Sequence, residues 1–225
     1  MENNNLTSQA YHLIMKKIID AEYQPGQKIT EKQVENELGI GRTPVREALI
    51  QLRQENLLNV IPQSGTYISK IDMQEVLDAR FVRVGVEQRI MHSAATMNLT
   101  TAQLEHLSNT LAKERTLMHE ENFAQFLTSD DEFHRYFYLI TNHERIWEWI
   151  KTINIQFDRF RFLRLKVKGL SWDGLVEQHE AIFNAVKAKD ANKVEQLTAD
   201  HLQMMLKEEQ ALTEAFPDYF VNYDK

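Results

Sequence analysis

The sequence predicts a mainly α protein, and three observations carry that expectation. Apolar residues recur at helical spacing along most of the 225 residues, Gly and Pro are scarce at 7 and 4, and only residues 57–69 alternate with the period of a strand. With 43% hydrophobic and 26% charged residues, the chain is long enough for one large or two small domains with a real core.

The elements follow in order. A first helix from about Thr7 to Ala21 places Ala10, Leu13, Ile14, Ile18 and Ala21 on one face and stops before Pro25-Gly26. The run Thr30-Glu31-Lys32-Gln33 reads as a capping box opening a second helix, with Ile29 stapled against Val34, and Gly39 ends it. After the turn Gly39-Ile40-Gly41, Thr43 is expected to cap a third helix with Pro44 at its first position, where a missing N–H costs nothing. Leu57–Ile61 and Thr66–Ser69, joined by Pro62-Gln63-Ser64-Gly65, read as a hairpin. Helix, helix, tight turn, helix and hairpin make a winged helix-turn-helix with a small β-hairpin wing over residues 1–71.

Everything after Ile71 reads as helix. Asp72 with Glu75 and Thr100 with Gln103 read as N-terminal caps of helices reaching about Met97 and His119. Further helices are expected over roughly 123–140, 143–167, 173–188 and 191–215. Residues 72–225 are therefore expected to form an all-α bundle of about six helices joined by short loops.

Composition excludes several classes. Without cysteine there is no disulfide, thiolate nucleophile, iron–sulfur cluster or Cys-ligated zinc finger, so a metal site must use His and carboxylates. The N-terminal residues lack a secretory pattern and no run approaches the ~18–20 apolar residues of a membrane span, so a cytoplasmic protein without membrane contact is expected. Residues 1–70 balance 8 Lys/Arg against 8 Asp/Glu, which leaves the whole net charge of −7 on the body. Position, not total charge, must decide whether the head meets nucleic acid.

The third helix offers that position. Arg42 lies just before the expected cap and Arg46 in the first turn, off the Val45/Leu49/Leu52 core stripe, while Thr43 sits where a helix N-terminus favours phosphate. Arginine can grip phosphate or guanine O6 and N7. Two cations at a helix N-terminus oppose the macrodipole, so stability alone would favour Asp or Glu there.

In the body, Phe126, Leu127, Phe133, Phe137 and Ile140 define an apolar helix side within which Asp130 and His134 fall, one turn apart. His179 lies among Leu175, Ile182 and Val186, and His201 among Val194, Leu197 and Met205. Each of these inward polar groups would otherwise need its own buried partner, whereas one shared divalent ion, Zn²⁺, Ni²⁺, Mn²⁺ or Fe²⁺, satisfies all four. His12, His92, His106, His119 and His143 read as surface residues. The segment Phe157–Arg164 interleaves aromatics with Asp158, Arg159, Arg161 and Arg164, a pattern that can stack single-stranded bases. A core stripe through Ile146, Ile150, Ile153, Phe157 and Phe160 explains it better, with the arginines solvated or at a pocket rim.

Two family resemblances attach to these residues. Lys28–Val34, Leu38–Leu52 with its Arg42-Thr43-Pro44-Val45-Arg46-Glu47-Ala48-Leu49 core, Asn56–Leu58 and Gly65–Ile68 resemble the DNA-binding domain of the GntR family of bacterial transcription regulators over residues 6–70. The resemblance implies operator contacts from Lys32, Arg42, Thr43, Arg46 and the wing tip at Gly65; Gly41 replaces a more usual Ser, and Ser64 a common Arg. Asp130–His134, Gln178–Ile182 and Asp200–Leu202 are similar to the FCD ligand-binding domain of the FadR subfamily over about 72–215, which implies Asp130, His134, His179 and His201 as metal ligands. Arg83-Val84-Gly85-Val86-Glu87 is similar to a family Arg-x-x-Leu-Glu, in which Arg83 would approach an effector; an Arg83–Glu87 salt bridge one turn apart explains it equally well.

Together these imply a repressor or activator that binds double-stranded operator DNA as a homodimer and responds to a small carboxylate effector. A helical metalloenzyme with an appended head is the rival, weakened because Glu180 points about 100° away from His179 on an ideal helix. A bundle without metal, its three inward histidines coincidental, is the third reading.

Overall fold

The computed structural model describes residues 2–170, 172–204 and 208–223, which form two compact units. Residues 1–73 together with 216–225 make the first, and residues 74–215 the second. The first unit, the head, contains α1 (Glu2–Ile19), β1 (Lys28–Ile29), α2 (Glu31–Leu38), α3 (Arg42–Gln54), β2 (Leu58–Ile61), β3 (Gly65–Ile68), β4 (Ile71–Asp72) and, from the far end of the chain, β5 (Phe220–Val221).

Ala10, Ile14 and Ile18 of α1 pack into the head core with Val34, Val45, Ala48 and Leu52, all essentially inaccessible to solvent. Tyr11 OH donates to Glu55 Oε2 at 2.7 Å and Thr7 Oγ1 to Glu47 Oε2 at 2.7 Å, which ties α1 to α3 and its C-cap. Thr30 caps α2 by accepting from the Gln33 amide at 3.1 Å, but the return half of the expected capping box is missing, because the Gln33 side chain donates to Glu37 instead. Gly39 closes α2 in the left-handed region at φ +65, where a glycine carries no Cβ penalty.

The hairpin expected over 57–69 is present as β2 and β3, with Leu58 opposite Ile68 and Ile61 opposite Gly65. Two features of the head differ from expectation. Lys28 and Ile29 pair antiparallel with Tyr67 and Thr66, giving a three-stranded sheet in the order β1-β3-β2. Ile71 and Asp72 pair in parallel with Phe220 and Val221, where the sequence predicts no strand. Asp72 also accepts from the Asn222 side chain at 2.8 Å, so it belongs to this strand pair, and the helix that follows begins at Met73. Two-residue strands are too short to show a period in sequence.

The second unit, the body, holds eight helices among the described residues: α4 (Met73–Thr96), α5 (Thr101–His119), α6 (Phe123–Ile140), α7 (Glu144–Ile153), α8 (Ile155–Lys166), α9 (Asp173–Lys187), α10 (Ala191–Met204) and α11 (Glu209–Ala215). Thr100 and Gln103 complete a reciprocal capping box at α5. The core joins Met91 and Ala94 of α4 with Leu107 of α5, Phe133 and Phe137 of α6, Ile182 of α9 and Val194 of α10.

The single helix expected over 143–167 is two. Asn154, fully buried, separates α7 from α8, its side chain donating to Asp158 Oδ1 at 2.7 Å. The stripe breaks there, and Ile153 is 48% exposed. Nearly all of α8 is buried, so Arg159, Arg161 and Arg164 are interior groups, neither solvated nor at a rim. They are held by polar partners: Arg159 by Gln156, Arg161 by three aspartates and Arg164 by Glu208. Met205, which the spacing placed beside His201, lies outside the described residues. Among those residues, no helix is long and apolar enough to cross a membrane.

Candidate functional site

Gly41, with extended backbone and no side chain to cap, precedes α3, so Arg42 is its first helical residue and Thr43 its second. This corrects the expected cap at Thr43; Pro44 still falls within the first turn, whose N–H groups have no intrahelical acceptor. Arg42, Thr43 and Arg46 are exposed, while Val45, Ala48 and Leu52 turn into the core, so the helix offers its polar N-terminal side to solvent. Arg42 Nε lies 3.6 Å from Glu31 Oε2 with both groups exposed, a pair too solvated to hold it. Lys32 is exposed on α2, and Gly65 opens β3 at φ +140, a conformation that favours glycine.

In the body, α6, α9 and α10 bring Asp130, His134, His179 and His201 together. Each offers one ligand atom, all four atoms lie within 4.8 Å of one another, and all four residues are buried. Behind each stands a partner that fixes its role. His179 Nδ1 is 2.8 Å from Glu114 Oε2 and His201 Nδ1 is 2.9 Å from Gln178 Oε1; a carboxylate or an amide oxygen only accepts, so both Nδ1 atoms carry the proton. His134 Nδ1 lies 2.6 Å from Glu87 Oε2, an ion-pair distance. Arg161 donates to Asp130 Oδ2 at 2.5 Å, which leaves Oδ1 for the cluster. Three imidazole nitrogens and one carboxylate oxygen therefore converge.

That convergence fits a cation better than it fits four hydrogen-bonding groups. His179 Nε2 and His201 Nε2 face each other at 3.1 Å, and His134 Nε2 is buried with no hydrogen-bond partner. Two imidazoles whose other nitrogen donates to an oxygen, a third lying against a carboxylate, and Asp130 make a ligand set suited to a divalent transition ion.

Charge reinforces the arrangement. Burial alone would raise the Glu87 carboxyl, but Arg83 and His134 hold it down at about 2. Burial would also raise Asp130, and Arg161 and the histidines more than offset it, so it stays ionised. Burial and the neighbouring His179 and His134 push His201 well below the ordinary imidazole range, and burial lowers His134 as well. His179 is raised, Glu114 outweighing its burial.

The salt bridge expected for Arg83 is present. Its Nε pairs with Glu87, while Nη1 and Nη2 are buried with no hydrogen-bond partner. Its guanidinium carbon lies 6.0 Å from the Trp147 ring centre and 5.8 Å from that of Phe157. Tyr138, whose ring centre is 5.4 Å from that of Trp147, has a buried hydroxyl that also lacks a partner.

Sequence reasoning missed Glu87 as a partner of His134, placed Arg161 in solvent or at a rim, gave Gln178 no role beyond the resemblance, and missed Glu114 altogether. Glu114 could have been found, because it sits at helical spacing between Leu111 and Leu117 on a buried stripe. Arg161 gave no such signal amid the alternating aromatics of α8. The remaining histidines are exposed or half-buried, as their settings implied.

Comparison with known proteins places both parts. Residues 6–68 match the family of bacterial regulatory proteins, gntR family, and residues 78–204 match the FCD domain. The chain belongs to the GntR family, with an FCD domain. This GntR regulator is 28% identical over 215 residues to the HTH-type transcriptional repressor RspR of Escherichia coli K12, covering 96% of this chain and 93% of that one. It is 27% identical to the HTH-type transcriptional repressor GlaR of the same organism, over 85% and 90% of the two chains. The fold matches the solved structure of E. coli McbR/YncC with a TM-score of 0.76 at 21% identity, covering 94% and 98%. These relatives are DNA-binding transcription regulators, so the reading as a helical metalloenzyme is set aside. Glu180, already set apart from His179 by helix geometry, is paired with Arg115.

Proposed function

We propose that this GntR regulator binds an operator as a homodimer, holds a divalent transition ion at Asp130, His134, His179 and His201, and changes its DNA affinity when a small carboxylate enters beside that ion. The observation that carries the reading is the set of inward Nε2 atoms with Glu87, Glu114 and Gln178 behind them, next to an arginine whose two terminal nitrogens are buried and unpartnered. A bound ion would supply a Lewis-acidic position for an effector oxygen.

The chain's own residues supply the rest. Arg161 holds Asp130 in one orientation, and Glu114 behind His179 and Gln178 behind His201 fix the tautomers that leave Nε2 free to ligate. Arg83, anchored at Nε by Glu87, offers both terminal nitrogens as a fork of the shape that binds a carboxylate in bidentate fashion. A neutral ligand would leave that guanidinium unpaired. In the head, Arg42, Thr43 and Arg46 would contact the operator from α3, with Lys32 and the wing at Gly65 on the flanks.

Dimerisation through the body is supported by two large side chains there, Phe81 and Trp149, at 76% and 60% exposed. Two heads would then read the halves of a pseudo-palindrome. The test is metal analysis of the purified chain, followed by thermal melts with a panel of mono-, di- and tricarboxylates. A true effector at 100 times its Kd adds roughly 2.7 kcal/mol to stability. A chain that binds no metal and answers to no carboxylate would overturn the reading in favour of a purely structural cluster.

A further inference from the structure

The wing turn carries no cation of its own. Pro62, Gln63, Ser64 and Gly65 are uncharged, and the one hydroxyl among them, Ser64 Oγ, is taken up by Tyr67 OH at 2.7 Å. A hairpin that meets a polyanion without a positive charge gains little from the contact, because affinity for nucleic acid rests mainly on phosphate neutralisation.

The strand that sequence reasoning did not foresee brings a charge to that place. Lys28 of β1 stands opposite Tyr67 in the β1–β3 pair, and its ammonium lies 6.0 Å from the Tyr67 ring centre, at the edge of cation–π range. From there its stem runs toward the tip. A Cβ built on Gly65 would stand 2.6 Å from Lys28 Cε and 3.3 Å from Lys28 Nζ, so the bare glycine leaves the space the lysine occupies. Lys28 is exposed, and the ion pairs of the head among the described residues are Lys16–Asp20, Lys17–Glu22 and Arg42–Glu31, none of which involves it.

We infer that Lys28 is the wing's DNA contact, delivering its charge to a backbone phosphate from the neighbouring strand instead of from the turn. Ser64 serves to fix Tyr67, and Tyr67 serves as the platform on which the lysine stem rests. The inference rests on the DNA-reading role of the head.

The test uses the full chain and a labelled duplex that the wild-type protein enriches from a randomised pool, titrated by fluorescence anisotropy over a series of salt concentrations. Lys28→Gln keeps an unbranched stem and removes the charge. Its affinity should fall several-fold, its salt slope should shrink by about one, and its melting temperature should not change. Lys28→Arg should keep both affinity and slope. An unchanged slope for Lys28→Gln, or a lowered melting temperature accompanying its loss of affinity, would overturn the inference and leave Lys28 as a cover for Tyr67. A wild-type chain that enriches no duplex would defeat the DNA-reading role itself, and this inference with it.

Discussion

His179 and His201, carried on successive helices, direct their Nε2 atoms at each other across 3.1 Å while their Nδ1 atoms are tied back to Glu114 and Gln178. Two lone pairs at that distance repel unless a proton or a cation lies between them. A proton or a cation must therefore sit between them, and removing either ring dismantles the pair.

His179→Ala and His201→Ala should each lower the metal content of the purified protein to well below one ion per chain and abolish the effector-dependent rise in melting temperature. The head, a separate unit, should still bind DNA. Elemental analysis alongside mobility-shift titration checks both halves, and stoichiometric metal in either variant would place the site elsewhere.

Arg83→Lys keeps the charge but loses the planar fork, so it should weaken carboxylate binding by at least tenfold while metal content stays unchanged. Thermal melts of the metal-loaded variant across the carboxylate panel read this directly. A variant that responds like wild type would remove Arg83 from the effector site.

Glu87 is paired with the buried Arg83 and lies against His134, and its acidity makes a pH signature. Its folded value of about 2 lies below the ordinary 4.5, so the unfolded chain binds the proton more tightly. The contribution is fully present above about pH 4.5 and is lost as pH falls toward 2. Denaturation of the EDTA-treated chain across that window should show the fall, and Glu87→Gln should flatten it. Glu87→Ala, which leaves Arg83 facing an empty site, should cost about 3–5 kcal/mol at neutral pH.

In the head, Arg46→Ala should weaken operator binding by about 1–3 kcal/mol without lowering stability, because its side chain is exposed outside the core. Lys32→Ala should instead reduce affinity across sequences and flatten the salt dependence. Unchanged binding for Arg46→Ala at fixed salt would count against α3 as the reading helix.

Phe81→Glu combined with Trp149→Glu should convert a dimer into a monomer at micromolar concentration by sedimentation, since each places a charge on an apolar surface. A doubly substituted chain that sediments as a dimer would move the interface away from these residues.

Much of this was legible in sequence because it is periodic or local. The Asp130/His134 pair and the stripes around His179 and His201 follow from helical spacing, and Thr100 with Gln103 announces its own capping box. The losses have two causes. Lys28–Ile29 and Phe220–Val221 are strands of two residues, stabilised by partners far away in the chain, so no period marks them. The interior arginines of α8 look like surface charges because the carboxylates that neutralise Arg161 sit on another helix as well as one turn away. Pairing across elements is what single-sequence periodicity does not encode.

The pairing of β4 with β5 carries a consequence for how the protein is made. Asp72 and Asn222, bonded in the head, are separated by 150 residues of sequence, and the intervening chain is the entire body. A ribosome therefore releases most of the head early, and β4 gains its partner only once β5 emerges. The nascent regulator passes through synthesis with this strand pair unmade, and a fusion or truncation at residues 216–225 acts on the unit that was translated first.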